Sequence, residues 1–523
     1  MQSEVLALRG VGGYRQYRIP AMAVSPSGRV FAIYDARPDL DDLPGPVDLV
    51  MRISDDHGLT WSEQKILRKS KGIAGHGDAS ILIDPLFGKF GRIIVLSQYT
   101  RLAGFFESSL GTDVNNPNIA QIEISTSDDD GITWNHKYIT EQIKDEKTPG
   151  IFATSGTGSY IAKGKHAGRL LQTFVLRRSN ELLTAVGFSD DHGETWQLSA
   201  ELSGGNETAI AWMDNEEILL HSRATPFRLV SRSKDGGKRF LPFSPDLALP
   251  DPSDNGSLAF LSDGSLICTH NHDNSLRRMT VLKQSFDFGN TWSKALILEE
   301  ESSAYSTSCE LADGTIGVLY ERNGYSEIVF AKISPSEITG NLEILNKKTD
   351  EIGVEFNFVL RYIRPTKLQI LIETENKSPS SDLSSFKQHA RKEIGEIAEK
   401  YDATNLYTRE ELDEILGNPS QGIHLGDELR FSGKLAFHGT GKLRNVHIEN
   451  FESGFQQETL EMISGDQVNF LDVRHMVTQS EIEQGSIRVN FNWSGEYISE
   501  QGEVKKVDGR VIKDFSILNG AVI

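Results

Sequence analysis

The sequence predicts an all-β protein whose N-terminal part repeats one small sheet several times, as a β-propeller does. The first observation is an octapeptide, Ser-x-Asp-x-Gly-x-Thr-Trp, that begins at Ser54, Ser127, Ser189 and Ser285, with a weaker copy at Ser233. The second is a series of short hydrophobic segments between the copies, none with helical periodicity. The distances between copies fit a four-stranded sheet with its loops, the size of a propeller blade.

Each copy of the octapeptide is predicted to form a turn with a structural role. In the first copy the Asp56 carboxylate can accept hydrogen bonds from backbone N–H groups, and Gly58 can supply a positive φ. Trp61 ends the copy, and its ring is expected to cover the hairpin.

Composition argues against two classes of partner. The 523 residues carry a formal net charge of -20 at pH 7, whereas nucleic acids and anionic membrane surfaces both favour a basic face. An anionic ligand would therefore require a local cluster of arginines. With only Cys268 and Cys309, the chain has neither a disulfide framework nor a cysteine-based zinc motif.

Two sequence features concern location. No apolar run reaches the roughly 20 residues of a transmembrane helix, and the first residues lack the basic and apolar regions of a signal peptide. The chain as given is therefore expected to be cytoplasmic, or secreted if a leader has been removed.

The segment 12–37 predicts one hairpin, and the polar residues at its strand ends stand where a propeller site would open. Arg18 precedes an Ile-Pro pair, and a proline favours extended backbone at the residue before it, here Ile19. The loop at 38–47 is rich in proline, glycine and aspartate. A longer insert at 101–118 is expected to line the mouth of the propeller.

The composition changes near residue 335, where we predict a domain boundary. The octapeptides stop there, and of the six tryptophans only Trp493 follows. Strand patterns continue, but between them residues 382–417 show helical spacing and a capping box. We therefore predict a propeller over residues 1–335 and a β-sandwich-like accessory domain with this helical insertion over residues 336–523.

The Tyr-Arg-Ile-Pro sequence at 17–20, followed by the octapeptides, resembles the bacterial sialidases, or neuraminidases, over about residues 10–335. The resemblance implies a six-bladed β-propeller that acts as an exo-α-sialidase. Its substrates would be sialylated oligosaccharides, glycoproteins or glycolipids, and it would hydrolyse them with retention through a covalent tyrosyl intermediate. The resemblance implies no metal and no other cofactor.

Three arginines match the family residues that bind the carboxylate of sialic acid: Arg18, Arg223 and Arg277. Arg278 is left open as an alternative to Arg277. Guanidinium groups suit this role because they pair bidentately with a planar anion and stay charged at any working pH.

Other matches concern the sugar and the proton donor. Arg37 and Asp78 match family residues that contact the subsite of the 4-hydroxyl, and Asp42 matches the acid/base. Asp39 and Asp41 lie in the same loop, so the register of this last match is left open. A loop that closes over Asp42 and desolvates it would raise its pKa, as a general acid needs near neutral pH.

Tyr305 and Glu207 match the nucleophile and its partner base. The anomeric carbon of sialic acid bears a carboxylate, so a tyrosine that passes its proton to Glu207 approaches with less like-charge repulsion than a carboxylate would. A free phenol with a pKa near 10 is about 4 kcal/mol short of ionisation at pH 7, which Glu207 and the arginines would have to offset.

Several alternatives stay open. A trans-sialidase or intramolecular trans-sialidase uses the same residues with a different acceptor, and a non-catalytic sialic-acid-binding propeller should lack the Tyr, Glu and Asp together. The accessory domain is either a packing or assembly module or a carbohydrate-binding module. Because every matched residue precedes the boundary, residues 1–335 are predicted to be active alone. Linkage preference and oligomeric state are not predicted.

Overall fold

The computed structural model of the chain describes residues 1–338, 353–364 and 427–522, apart from positions 180, 294, 452, 519 and 520. Regular structure in these residues is almost entirely β-strand, which confirms the all-β class. The predicted helical insertion at 382–417 lies outside the described residues. Among the described helices, none has the length and apolar character needed to cross a membrane.

The first part of the chain forms five sheets, four of which have an antiparallel meander at their centre. The N-terminal strand is β1 (Gln2–Leu8). The first sheet contains β2 (Gln16–Val24), β3 (Val30–Arg37), β4 (Asp48–Ser54) and β5 (Lys65–Arg68). The second contains β6 (Gly75–Asp84), β7 (Arg92–Thr100), β8 (Gln121–Ser127) and β9 (Asn135–Tyr138), and the short helix α1 (Thr140–Ile143) follows it.

The third sheet contains β10 (Gly150–Ala153), β12 (Ser159–Tyr160), β13 (Leu170–Arg178), β14 (Glu181–Ser189), β15 (Gln197–Leu198) and β16 (Leu202–Ser203), while β11 (Gly156–Thr157) pairs in parallel with β6. The fourth contains β17 (Thr208–Trp212), β18 (Ile218–Ser222), β19 (Phe227–Ser233) and β20 (Ser244–Pro250). This succession of sheets fits a β-propeller.

The fifth sheet has seven strands and includes the start of the chain. Its members are β1, β21 (Ser257–Phe260), β22 (Leu266–Asn271), β23 (Arg278–Ser285), β24 (Leu296–Glu310), β25 (Ile316–Arg322) and β26 (Glu327–Ile333). The long strand β24 pairs with β23 through its first half and with β25 through its second half. Strand β1 pairs with β26, and the short helix α2 (Pro335–Ile338) ends this part of the chain.

The octapeptides form the predicted turns. In the first copy Asp56 Oδ1 accepts from the backbone N–H of Thr60 at 2.8 Å, and Gly58 has a φ of 81°. Trp61 packs edge-on against Phe330 in β26, so its ring joins two neighbouring sheets. The same aspartate-to-backbone bond recurs at Asp129, Asp191, Asp235 and Asp287.

The C-terminal part forms two sheets that share one core. The first contains β27 (Val354–Arg364), β28 (Glu428–Phe437) and β31 (Gln467–Met476). The second contains β29 (Lys442–Asn450), β30 (Phe455–Ile463), β32 (Ser486–Ile498), β33 (Val504–Leu518) and β34 (Ala521–Val522), with the helix α3 (Gln479–Gln484) before β32. The rings of Phe358 in β27 and Phe491 in β32 lie 4.6 Å apart between centroids, so aromatic packing holds the sheets together.

Candidate active site

Three of the arginines singled out from the sequence surround one tyrosine. The guanidinium carbons of Arg18, Arg223 and Arg277 lie 5.4, 5.7 and 5.5 Å from the ring centroid of Tyr305, which is buried in β24. The three come from different sheets or loops of the first part of the chain. Together they form the local cationic cluster that an anionic ligand would require in a chain of net charge -20.

Arg18 is held by a carboxylate from the opposite end of the first part of the chain. Its Nε and Nη2 donate to Glu321 at 3.2 and 3.3 Å, and the backbone N–H of Ile19 donates to the same carboxylate at 2.7 Å. Ile19 has a φ of 59°, so the expectation of extended backbone there is wrong. The left-handed region is unfavourable for a β-branched residue, and the bond to Glu321 helps to hold Ile19 in it.

Tyr305 and Glu207 are directly bonded. The Tyr305 hydroxyl donates to Glu207 Oε2 at 2.5 Å, and Arg223 donates to the same hydroxyl at 2.5 Å while forming an ion pair with Glu207. Burial, together with the Glu207 charge, raises the pKa of Tyr305 well above its usual value, against the opposite effect of Arg223 and Arg277. Tyr305 is therefore a neutral phenol whose proton is directed at Glu207.

The structure brings Arg277, rather than Arg278, to the tyrosine. Arg277 Nη1 donates to the hydroxyl of Tyr325 at 3.1 Å, and its Nε lies 3.7 Å from Asp254 Oδ1. The adjacent Arg278 donates from Nε to Asp273 at 2.8 Å instead. Successive side chains near a strand start point in opposite directions, which explains the difference.

Arg37 links the aspartates beside the arginine cluster. Its guanidinium is fully buried, donates to Asp35 at 2.6 Å and to Asp42 at 2.8 Å, and lies 3.9 Å from Asp78. Burial and the nearby Asp35 charge raise the pKa of Asp78 well above its usual value. Arg37, Asp42 and Asp78 thus form one polar group beside the arginine cluster.

The expected rise in the pKa of Asp42 is wrong, because the structure lowers this pKa. Partial desolvation by the surrounding protein acts to raise the pKa of this carboxylate, but Arg37, and Arg18 at 3.9 Å, outweigh that effect and hold the pKa below its usual value. The side chain is also 75% exposed, so the loop leaves it open to solvent. Asp42 is therefore a carboxylate at neutral pH.

Close backbone contacts support the loop that carries Asp42. A Cβ at Gly104, in the 101–118 insert, would lie 2.2 Å from the carbonyl oxygen of Leu43, and a Cβ at Gly75 would lie 2.0 Å from that of Gly45. Only glycine fits at such distances without movement of the loop.

Three residues of the site were not predicted from the sequence: Glu321, Asp254 and Tyr325. Glu321 and Asp254 are buried carboxylates beside site arginines, and the ring of Tyr325 lies 4.3 Å from the guanidinium carbon of Arg18. Burial raises the pKa of Asp254 to about 6, against the effect of Arg277 and Arg223. One signal in the sequence could have identified Glu321. It is a carboxylate at the end of a hydrophobic strand, and a buried carboxylate needs a cationic partner.

The chain is similar in sequence to proteins that are already known. Residues 93–318 match the family model of the BNR repeat-like domain. Over 336 residues the chain is 36% identical to a sialidase of Micromonospora viridifaciens, in an alignment that covers 60% of this chain and 51% of that protein. The chain is thus similar in sequence to a bacterial sialidase over 60% of its length.

Two further proteins are similar to this chain. The anhydrosialidase of Macrobdella decora is 28% identical over 247 residues, covering 41% of this chain and 32% of that protein. The solved structure of the Hadza microbial sialidase Hz136 aligns with a TM-score of 0.58 at 24% identity, over 65% of this chain and 69% of that chain, and shows the fold. The chain thus spans about half the length of the Micromonospora viridifaciens protein and about a third of the length of the Macrobdella decora protein.

Proposed function

We propose that this protein is a retaining exo-α-sialidase that removes terminal sialic acid from sialylated glycans. The observation that carries the proposal is Tyr305, whose hydroxyl donates to Glu207 while three guanidinium groups surround its ring. Three arginines suit a sugar that carries a carboxylate, and a tyrosine suits attack on the carbon beside that carboxylate. The similarity to a sialidase supports the same substrate class.

The chemistry proceeds in two displacements. In the first, the Tyr305 oxygen bonds to the anomeric carbon, its proton passes to Glu207, and the glycosidic bond breaks as Asp42 protonates the leaving oxygen. In the second, a water that gives its proton to Asp42 attacks the anomeric carbon, and Tyr305 leaves and regains its proton from Glu207. Two inversions give net retention.

Asp42 must be protonated for the first step, although it is a carboxylate in the free protein. Substrate binding would change this in two ways. The substrate carboxylate competes with Asp42 for Arg18, and the sugar removes water from around Asp42, and both effects raise its pKa.

We also propose that the five sheets form six blades. The seven-stranded sheet would be two blades joined through β24, whose first half ends one blade and whose second half begins the next. Strand β1 would supply the outer strand of the last blade. Contacts of β2 with both β6 and β24, and of β17 with β21, support a closed ring. Residues 336–523 would be the β-sandwich-like accessory domain.

Intramolecular transfer is the second candidate because the Macrobdella decora relative is an anhydrosialidase. NMR spectroscopy of the products from sialyllactose isomers tests both. Free sialic acid released first as its α-anomer is the expected result, whereas an anhydro sugar would show intramolecular transfer. Binding of sialyllactose without release of sialic acid would show a non-catalytic propeller. A protein that neither binds sialyllactose nor releases sialic acid would overturn the proposal.

The arginine assignments have their own test. Replacing Arg18, Arg223 or Arg277 by alanine should lower kcat/KM on an aryl sialoside by about 10-fold to 150-fold, because each loses a charged hydrogen bond worth about 1.5 to 3 kcal/mol. Arg278→Ala is the matched control and should lose less. A larger loss at Arg278 than at Arg277 would contradict the assignment.

A further inference from the structure

A buried ion pair joins the two parts of the chain close to the candidate site. The ammonium of Lys434, in β28, lies 2.9 and 2.8 Å from the two carboxylate oxygens of Asp273, which follows β22. The side chains are only 9% and 2% exposed. Lys434 and Arg278 outweigh burial and lower the pKa of Asp273 to about 2. Removing Lys434 would leave the buried Asp273 carboxylate with less compensation of its charge, because Arg278 would have to balance it without the ammonium group.

The Asp273 carboxylate organises the loop that carries Arg277. The backbone N–H groups of Ser275 and Leu276 donate to Asp273 Oδ1 at 2.9 and 3.0 Å, and Arg278 donates to Oδ2 at 2.8 Å. Arg277 lies between these anchored residues. The position of its guanidinium therefore depends on the position of Asp273.

A second contact from the C-terminal part reaches the other side of Arg277. The Ser302 hydroxyl donates to the carbonyl of Leu360, in β27, at 2.5 Å, and accepts from the backbone N–H of Gly324 at 3.0 Å. Gly324 precedes Tyr325, whose hydroxyl accepts from Arg277. The C-terminal part thus contacts Asp273 directly through Lys434. It also contacts Ser302, which is bonded to the residue before Tyr325.

We infer that the C-terminal part completes the candidate site, and that Lys434 is a positioning residue that holds Arg277 through Asp273. This inference rests on the proposed function for the role of Arg277. It revises the prediction that residues 1–335 are active alone, because the residues that hold Arg277 are themselves held by β27 and β28.

The test uses the full chain with Lys434→Met, which keeps the length of the side chain and removes its charge. Lys442→Met is the control, since Lys442 is half-exposed and pairs with Glu461 within the C-terminal part. Arg277 is proposed to hold the substrate before and during the reaction. The variant should therefore raise KM for an aryl sialoside by about tenfold or more, with a smaller change in kcat.

Hydrogen exchange supplies a second readout that does not depend on activity. In Lys434→Met the amides of Ser275 and Leu276 should exchange faster than in the unmodified protein, whereas in Lys442→Met they should not. A purely structural role would lower the melting temperature or the active fraction and leave KM and these amides unchanged, which would overturn the inference. If Lys434→Met does not fold, Ser302→Ala should show a smaller rise in KM of the same kind, and an unchanged KM would overturn it.

The inference and the proposed function can fail separately. An unmodified protein that releases no sialic acid would overturn the proposed function, while the exchange of Ser275 and Leu276 would still report the coupling. An active unmodified protein with equal KM in the Lys434 and Lys442 variants would overturn the inference and leave the function standing.

Discussion

Replacing Glu207 by glutamine isolates the step in which Tyr305 loses its proton. Glutamine keeps the size of the side chain and can still accept the hydrogen bond from the Tyr305 hydroxyl, which is 2.5 Å from Glu207 in the unmodified protein. It cannot accept the proton itself. The substitution therefore tests the base at constant side-chain size, and the Arg223 guanidinium loses its charged partner at the same time.

The size of the effect follows from the pKa of Tyr305. A phenol with an ordinary pKa of 10 is about 4 kcal/mol from ionisation at pH 7, which corresponds to about 10³-fold in rate. Burial raises the pKa of Tyr305 further, so the deficit in the unmodified protein is at least this large. We expect Glu207→Gln to lower kcat by about 10³-fold or more at pH 7.

The pH dependence gives the sharper readout. Glu207 also raises the pKa of Tyr305 through its charge, so the variant phenol should ionise more easily. The kcat of Glu207→Gln should then rise about tenfold per pH unit from pH 7 to 9, in an assay with an aryl sialoside. Glu216→Gln, at the exposed turn of the same hairpin, is the control. A loss below about tenfold, or parallel pH profiles for the variant and the unmodified protein, would refute the assignment of Glu207 as the base.

Three further predictions follow from the site and its supports. Asp42→Ala should keep far more activity on an aryl sialoside with a good leaving group than on sialyllactose, because only the latter needs protonation. Gly104→Ala should show the same selectivity more weakly, since its Cβ would displace the loop of Asp42. The pKa of Asp273 is about 2, below its ordinary 3.8, so its ionised form stabilises the fold by about 2 kcal/mol above pH 4 and loses this as the pH falls toward 2. Melting temperatures measured from pH 6 to 3 should therefore fall less in Lys434→Met than in the unmodified protein.

Matched variants serve as controls for these three changes. Asp39→Ala should matter little on either substrate, and equal losses on both substrates for Asp42→Ala would contradict its role as the acid. Gly45→Ala is the control for Gly104, because its Cβ would meet nothing within 4 Å. A melting temperature that falls in parallel for Lys434→Met and the unmodified protein would contradict the ion pair.

Local features were determined by the sequence itself. The octapeptide turns form as predicted because the donors and the acceptor lie within four residues of each other, as between Asp56 and Thr60. The all-β class follows for the same reason, since strand periodicity is a local pattern. The arginines, Tyr305 and Glu207 could be named because a resemblance covers short motifs around them. What these motifs could not supply was the orientation of each side chain.

The tertiary structure decided what depends on residues far apart in the chain. Glu321 holds Ile19 in a left-handed conformation that the following proline alone would disfavour. Arg37 and Arg18 lower the pKa of Asp42, where partial desolvation alone would raise it. The choice between Arg277 and Arg278 depends on which carboxylate each of them meets. Electrostatic and hydrogen-bond energies act through space over a few ångströms, and only the folded chain brings such partners within that distance.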